Sequence, residues 1–265
     1  MNRRVQEWQP ATSVPELGDG AVQVWWAGPA DARPGHDRLL TPDELVRRAG
    51  MRQLDDRNRF TVAYALTRLV VASQLGVPPA GLRFVRTCRR CGGPHGKPHL
   101  VGDAALRFSI SHSGARVAVA VARDADVGAD VEHLDRRLNV DSMVRQVLSR
   151  AEAAAVAGLA PADRFRAFLT YWTRKEAVLK ATGDGLSEPL SGLTVTEPHQ
   201  APRLLSWAGR PGAAAGFHLR DLHPGAEHLA AVALAEPPPT AVTELDGRAL
   251  LAGHSTVRSR ASDTT

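Results

Sequence analysis

The sequence predicts an α+β protein made of two similar halves, and two observations carry that expectation. Two helical stretches, "DDRNRFTVAYALTRLVVASQLGVPP" from Asp55 and "DRFRAFLTYWTRKEAVLKATGDGL" from Asp163, both run into glycine. Each is followed further along by an alanine- and valine-rich strand, "RVAVAVA" from Arg116 and "HLAAVALA" from His228. One helix-and-strand pattern met twice points to a duplicated α+β unit.

Taken in order, "AVQVWWAG" (21–28) is a short β-type run holding Trp25 and Trp26. In the first helix, Val62, Ala65, Leu66, Leu69 and Val70 recur at three- and four-residue spacing, and Gly76 before Pro78 stops it. "LRFSISHSGARVAVAVARDADVGADVE" then predicts a β-meander: a strand, a turn at "SHSGA", a strand from Val117 to Val121, a tight "RDAD" connection and a third strand. The second helix ends at Gly183 and Gly185, and strands are expected at "LTVTE" and "EHLAAVALA". After "EPPPT" the chain turns polar and rich in Ser, Thr and Arg, which predicts a disordered tail.

At 265 residues the chain can bury one sizeable core or two small ones. Its 43% hydrophobic and 23% charged residues are ordinary for a soluble globular protein. Two cysteines three residues apart allow no disulfide framework beyond a local CxxC, which predicts a reducing, cytoplasmic setting. The opening "MNRRVQEWQP" is followed by no apolar h-region, and no run approaches ~18 apolar residues, so neither a signal peptide nor a membrane span is expected. With 33 basic against 28 acidic residues and a pI near 9.8, anionic partners are favoured: nucleic acid, a phosphorylated small molecule or an acidic protein. Plain solubility is the ordinary alternative.

Four stretches carry candidate chemistry. In "VGADVE", strand alternation turns Asp130 and Glu132 to one face, where two carboxylates repel unless a cation sits between them. Oxygen-only ligands at that spacing suit Mg²⁺, while a pair of ordinary surface acids is the bland reading. In "YWTRKEAVLKATGDGL", Trp172, Glu176 and Lys180 share one helix side, with Lys175 beside Glu176. A surface Glu176–Lys180 pair with Trp172 in the core would explain the same spacing. In "FSISHSGARVAVAV", His112 falls in a Ser-His-Ser-Gly turn whose N–H groups and hydroxyls can meet an anion, or which is merely a capped turn. With no G-x-S-x-G, a serine hydrolase is excluded. Finally, "RTCRRCGGPHGKPHL" (86–100) offers Cys88, Cys91, His95 and His99 as a compact zinc set, or "HGKP" as a turn against a nucleotide.

Taken together, these motifs resemble those of the 4′-phosphopantetheinyl transferases, specifically the larger, surfactin-synthetase-activating type. The resemblance rests on Gly96-Lys97-Pro98, "FSISHS" (108–113), "GADVE" (128–132), "WTRKEAVLK" (172–180) and "GDGL" (183–186). It extends to "DDRNRFTVAYALTRL", with Arg59 and Arg68 at the family's paired arginine positions. The match covers roughly residues 20 to 236; Ala129 departs from the usual Ile or Val and is expected to alter packing and not the metal.

This resemblance implies a pseudo-twofold fold, with one half over 1–126, the other over 127–236, and the tail over 237–265. It implies transfer of the 4′-phosphopantetheine of coenzyme A to a serine of an apo carrier protein (acyl, peptidyl or aryl), with release of 3′,5′-ADP. Asp130, Glu132 and Glu176 would bind Mg²⁺, and Glu176, directly or through one water, would accept the serine proton. Lys175 and Lys180 would contact phosphate oxygens. Arg59 and His112 would meet the 3′-phosphate, with Arg47 or Arg48 assisting and Ser111 joining the turn. Gly96, Lys97 and Pro98 would lie against the adenine and phosphates, ringed by Arg86, Arg89 and Arg90, with Cys88 and Cys91 as small fillers. A monomer is expected, with no membrane or nucleic-acid partner. Two alternatives stay open at this point: a basic, zinc-knuckle-like nucleic-acid-binding module, and an Mg²⁺-dependent phosphatase or nucleotide hydrolase.

Overall fold

The computed structural model describes residues 8–256 apart from 89–90, 95, 103–104, 136–139 and 186–187. Its first half holds strands β1 (Gln9–Pro10) and β2 (Ala21–Ala27), helices α1 (Pro42–Ala49) and α2 (Leu54–Leu75), and the β3 (Phe84–Arg86) and β4 (Pro98–Leu100) hairpin. The meander β5 (Leu106–Ser113), β6 (Arg116–Arg123) and β7 (Val127–His133) leads into α3 (Val140–Val147), α4 (Arg150–Ala157) and α5 (Pro161–Thr182). Then follow β8 (Leu193–Val195), β9 (Leu204–Trp207), β10 (Phe217–Asp221), β11 (His228–Ala235), β12 (Ala241–Asp246) and α6 (Arg248–Thr256).

Side-chain alternation in the Ala/Val strands sorts these elements into four layers. Trp25 and Ala27 of β2 and Val117, Val119 and Val121 of β6 face α2, together with Leu66 and Val70. The opposite residues, Val22, Val24, Trp26, Ala118, Ala120 and Ala122, meet Val127, Ala129 and Val131 of β7 and Val232 and Leu234 of β11. On the far side, Ala231 and Ala233 of β11 pack under Phe168, Val178 and Leu179 of α5. The order is therefore α2, a five-stranded sheet (β1-β12-β2-β6-β5), a three-stranded sheet (β10-β11-β7), and α5. Because both faces of the middle strands are buried, they carry small β-branched and alanine side chains on each side. The two long helices have 22 residues each, and Gly76 and Gly183 stop them in the left-handed conformation (φ 66° and 76°). The chain is thus α+β, with a helix-on-sheet unit in each half.

Two expectations are corrected. The tail predicted over 237–265 is ordered over Ala241–Thr256: β12 runs parallel to β2, and Leu245 and Leu251 lie in the α2-side core. The short apolar pattern in "AVTELDGRALLAG" gains its partners from the beginning of the chain, which local composition does not reveal. The second concerns the β5–β6 turn, which is only Gly114-Ala115. His112 and Ser113 are strand residues paired with Val117 and Arg116.

Candidate active site

The two sheets meet at a seam of serine hydroxyls. On β5, Ser109, Ser111 and Ser113 share one side, and their Oγ atoms accept the N–H groups of Ala129, Val131 and His133 at 3.1, 3.3 and 3.1 Å. These are the β7 donors that β11 does not use, so the hydroxyls close an edge that would otherwise be unpaired. The same hydroxyls orient the acids: Ser111 donates to Asp130 Oδ1 and Ser113 to Glu132 Oε2, each at 2.9 Å. Ser109 and Ser113 were not among the residues expected to matter; the Ser-x-Ser-x-Ser period of "FSISHS" was the available signal.

Gly128 sets the depth of the site. A Cβ there would lie 2.0 Å from the Ala177 carbonyl oxygen and 2.2 Å from the Ala181 nitrogen. Strand β7 can therefore lie directly on the α5 backbone, which brings Asp130 and Glu132 under Glu176 and Lys180. Lys180 Nζ donates to Asp130 Oδ1 at 2.6 Å and to Ser111 Oγ at 2.9 Å.

A cavity of about 430 Å³ opens over this group. Its floor is Ser111, Asp130, Glu132, Glu176 and Lys180, and its walls include His112, Trp172, Arg47, Tyr64 and Arg86. Burial, then the Asp130 charge, pushes the carboxyls of both Glu132 and Glu176 up to about 7. Asp130 Oδ2 and Glu176 Oε1 are buried without a hydrogen-bond partner. Among the described residues no three Asp, Glu, His or Cys side chains are gathered closely enough to hold a metal as they stand. Even so, the donor set fits a hard cation: the side-chain donors are oxygens, two of them lack a hydrogen-bond partner, and the raised Glu132 and Glu176 carboxyls lie where added positive charge would favour their ionised form.

At the cavity mouth, desolvation and then the Arg59 and Lys180 charges hold the His112 imidazole below its ordinary pKa. Arg59 does not line the cavity. It donates to the Gly114 carbonyl at 2.8 Å and pairs with Asp56, bracing the hairpin beside His112. Arg68, its paired position, is buried on the Glu44 carboxylate at 2.9 Å and serves α1–α2 packing. Arg48 donates to Thr61 Oγ1 at 2.7 Å, which leaves Arg47 as the α1 arginine on the cavity. The aromatic wall, Phe60 and Tyr64 with rings 4.4 Å apart and Arg86 on the Tyr64 hydroxyl, went unrecognised in the sequence except for Arg86. Its i, i+4 spacing looks like core.

Lys97 and Pro98 line a second cavity of about 390 Å³ with Arg107, Phe108 and Asp126. Lys97 Nζ donates to the carbonyls of Val127 and Ala181 at 2.9 Å each, tying this loop to β7 and to the end of α5. Gly96 is explained by the protein itself, since a Cβ would lie 2.3 Å from the Thr87 carbonyl oxygen. In the same loop Cys88 is half-buried and Cys91 exposed, while His95, Arg89 and Arg90 lie outside the described residues, as does Leu186 of "GDGL".

Lys175 departs from expectation. Its ammonium is fully buried on the other side of α5, donating to the Val147 and Leu190 carbonyls and to Glu152. One helical residue step turns the side chain by about 100°, so the neighbour of a cleft residue points elsewhere.

A sandwich of two helix-on-sheet units, with carboxylates and a lysine converging on one strand, defines a transferase of the phosphopantetheinyl class once its relatives are considered. Residues 126–233 match the 4′-phosphopantetheinyl transferase superfamily. The chain is 32% identical over 203 residues to the 4′-phosphopantetheinyl transferase HetI of Nostoc sp., covering 74% of this chain and 78% of that protein. It is 30% identical over 171 residues to the putative 4′-phosphopantetheinyl transferase slr0495 of Synechocystis sp., covering 63% and 67%. A holo-(acyl-carrier-protein) synthase from Bacillus anthracis, solved in complex with CoA (3′,5′-ADP), superposes with a TM-score of 0.34 at 23% identity over 42% of this chain and 95% of that one. The chain belongs to the 4′-phosphopantetheinyl transferase superfamily.

Proposed function

We propose that this protein transfers the 4′-phosphopantetheine of coenzyme A to a serine of apo carrier proteins, with Mg²⁺, in the manner of the larger surfactin-synthetase-activating enzymes. The observation that supports this best is the convergence of Asp130, Glu132, Glu176 and Lys180 on one cavity walled by Arg47, Arg86 and His112. Acids and bases in that arrangement suit a polyanionic substrate carried with a divalent cation.

Asp130, Glu132 and Glu176 would hold Mg²⁺, which when bound supplies positive charge to the pyrophosphate. The remaining work falls to the chain. Lys180 would contact the phosphates, helped by Arg47 and Arg86, while His112 meets the 3′-phosphate, with Arg59 steadying its hairpin. Lys97 and Pro98 would border the nucleotide end from their own cavity. The carrier serine oxygen attacks the phosphorus that bears the pantetheine arm, and the P–O bond to 3′,5′-ADP breaks. The serine proton passes, directly or through one water, to Glu176, whose carboxyl lines the same cavity. A basic protein also steers toward acidic carriers.

The zinc-knuckle reading accounts for none of this cavity. The test is mass spectrometry of several apo carrier proteins incubated with enzyme, coenzyme A and Mg²⁺. Gain of the phosphopantetheine mass on one serine supports the proposal. Consumption of coenzyme A with no modified acceptor would favour a hydrolase instead.

A further inference from the structure

Lys175 adjoins the proposed base in the sequence but belongs to a different device. Its Nζ donates to the Val147 carbonyl at 2.8 Å, to the Leu190 carbonyl at 3.2 Å and to Glu152 Oε2. An ammonium has three protons, and all three are used within the protein. Glu152 is equally buried and equally engaged: Oε1 accepts the Val195 N–H at 2.8 Å and Oε2 the Ser149 N–H at 2.7 Å. One ion pair therefore gathers the end of α3, the cap of α4, the turn before β8 and β8 itself onto one point of α5.

Arg174 anchors the same helix in a similar way. Fully buried, it donates to Asp221 Oδ1 and Oδ2 at 2.9 and 2.7 Å and to the carbonyls of Thr196, Glu197 and Gln200 at 2.8, 3.0 and 3.1 Å. Two consecutive cations thus face the second half's core while Trp172, Glu176 and Lys180 face the cavity.

We infer that the Lys175–Glu152 pair is a positioning device for the transfer reaction, fixing the rotation of α5 so that Glu176 and Lys180 meet Asp130; this rests on the function proposed above. Hydrophobic packing is non-directional and tolerates small rotations of a helix. An ammonium with three acceptors tolerates far less. A rotation of about 20° at a radius of about 6 Å would carry a carboxylate about 2 Å. Misplacement of about 1 Å costs on the order of 100-fold in rate. Lys175 is therefore a positioning residue, touching no substrate.

The test compares Lys175→Met, Glu152→Gln and the double variant with wild type, by thermal melting and by kcat and KM for coenzyme A with one carrier protein. Each single change strands a buried partner, and both single variants should melt well below wild type. The double variant removes both charges and should regain most of the lost melting temperature. Its kcat should nevertheless stay down by about tenfold or more, with KM for coenzyme A within about threefold of wild type. Recovery of kcat in step with the melting temperature would overturn the inference and leave the pair as packing alone. A KM raised about tenfold with kcat unchanged would overturn it in the other direction, returning Lys175 to direct phosphate contact. A wild-type enzyme inactive in the same assay would count against the transfer reading and, with it, against any catalytic service by the pair. That control keeps the two failures apart.

Discussion

Lys180 of α5 and Asp130 of β7 are joined by a 2.6 Å ion pair that uses only one of the two carboxylate oxygens. The other, Asp130 Oδ2, is buried without a hydrogen bond, as is Glu176 Oε1. A polar oxygen in that state is costly unless something supplies positive charge or a proton. Both possibilities lead to measurable behaviour.

Glu176→Gln should keep the fold and lower transfer by about 100-fold or more, because it removes a proton acceptor and a negative charge at nearly constant volume. Its thermal stability in chelator at pH 8 should equal or exceed that of wild type, since the native carboxyl ionises there at a cost. Steady-state kinetics and melting curves on one preparation check both parts. Wild-type turnover in a folded Glu176→Gln enzyme would remove Glu176 from the chemistry.

Stability should depend on pH in a stated direction. The folded-state pKa values of Glu132 and Glu176 are raised to about 7 from 4.5. A carboxyl raised on folding contributes its full share below its unfolded pKa and loses it as pH rises through the folded value. Chelated protein should therefore melt lower at pH 8 than at pH 6, by a few kcal/mol or roughly 5–10 °C in a chain this size. Added Mg²⁺ should raise the melting temperature more at pH 8 than at pH 6. Equal effects of Mg²⁺ at both values would mean that these carboxyls do not hold it.

His112→Ala should weaken coenzyme A far more than dephospho-coenzyme A. The imidazole is held below its ordinary pKa by desolvation, then by the Arg59 and Lys180 charges, which favours its neutral form in the free protein. A bound phosphate would raise that pKa, and the preference for coenzyme A over its dephospho form should grow as pH falls. Calorimetry with both ligands at two pH values decides it. Equal losses for the two ligands would make His112 a support of the strand end.

Gly128→Ala should be severely destabilising, by about 3 kcal/mol or more, because a Cβ 2.0 Å from the Ala177 carbonyl oxygen forces β7 off α5. The cost comes from close approach and not from backbone conformation. Denaturant unfolding measures it. A loss below about 1 kcal/mol would show that the strand can retreat without harm.

Much of the site was legible before the fold was known. The same-face placement of Asp130 and Glu132 follows from strand alternation, and that of Trp172, Glu176 and Lys180 from helical periodicity. Both hold because each set lies within a single regular element. What misled was adjacency. Lys175 sits beside Glu176 in the chain and across the helix from it in space, with its ammonium on the Val147 carbonyl. The polar composition after "EPPPT" predicted disorder, but β12 finds its place beside β2.

The sequence by itself determined the local periods, the glycine stops of the two long helices and the residue types of the site, because these depend on backbone geometry over a few residues. Tertiary structure alone decided which of those residues meet. The serine seam joins β5 to β7, Gly128 lets β7 touch α5, and Glu152 anchors Lys175 from 23 residues away. Hydrogen bonds and close approaches between distant segments depend on how sheets and helices stack, and no local pattern encodes that stacking.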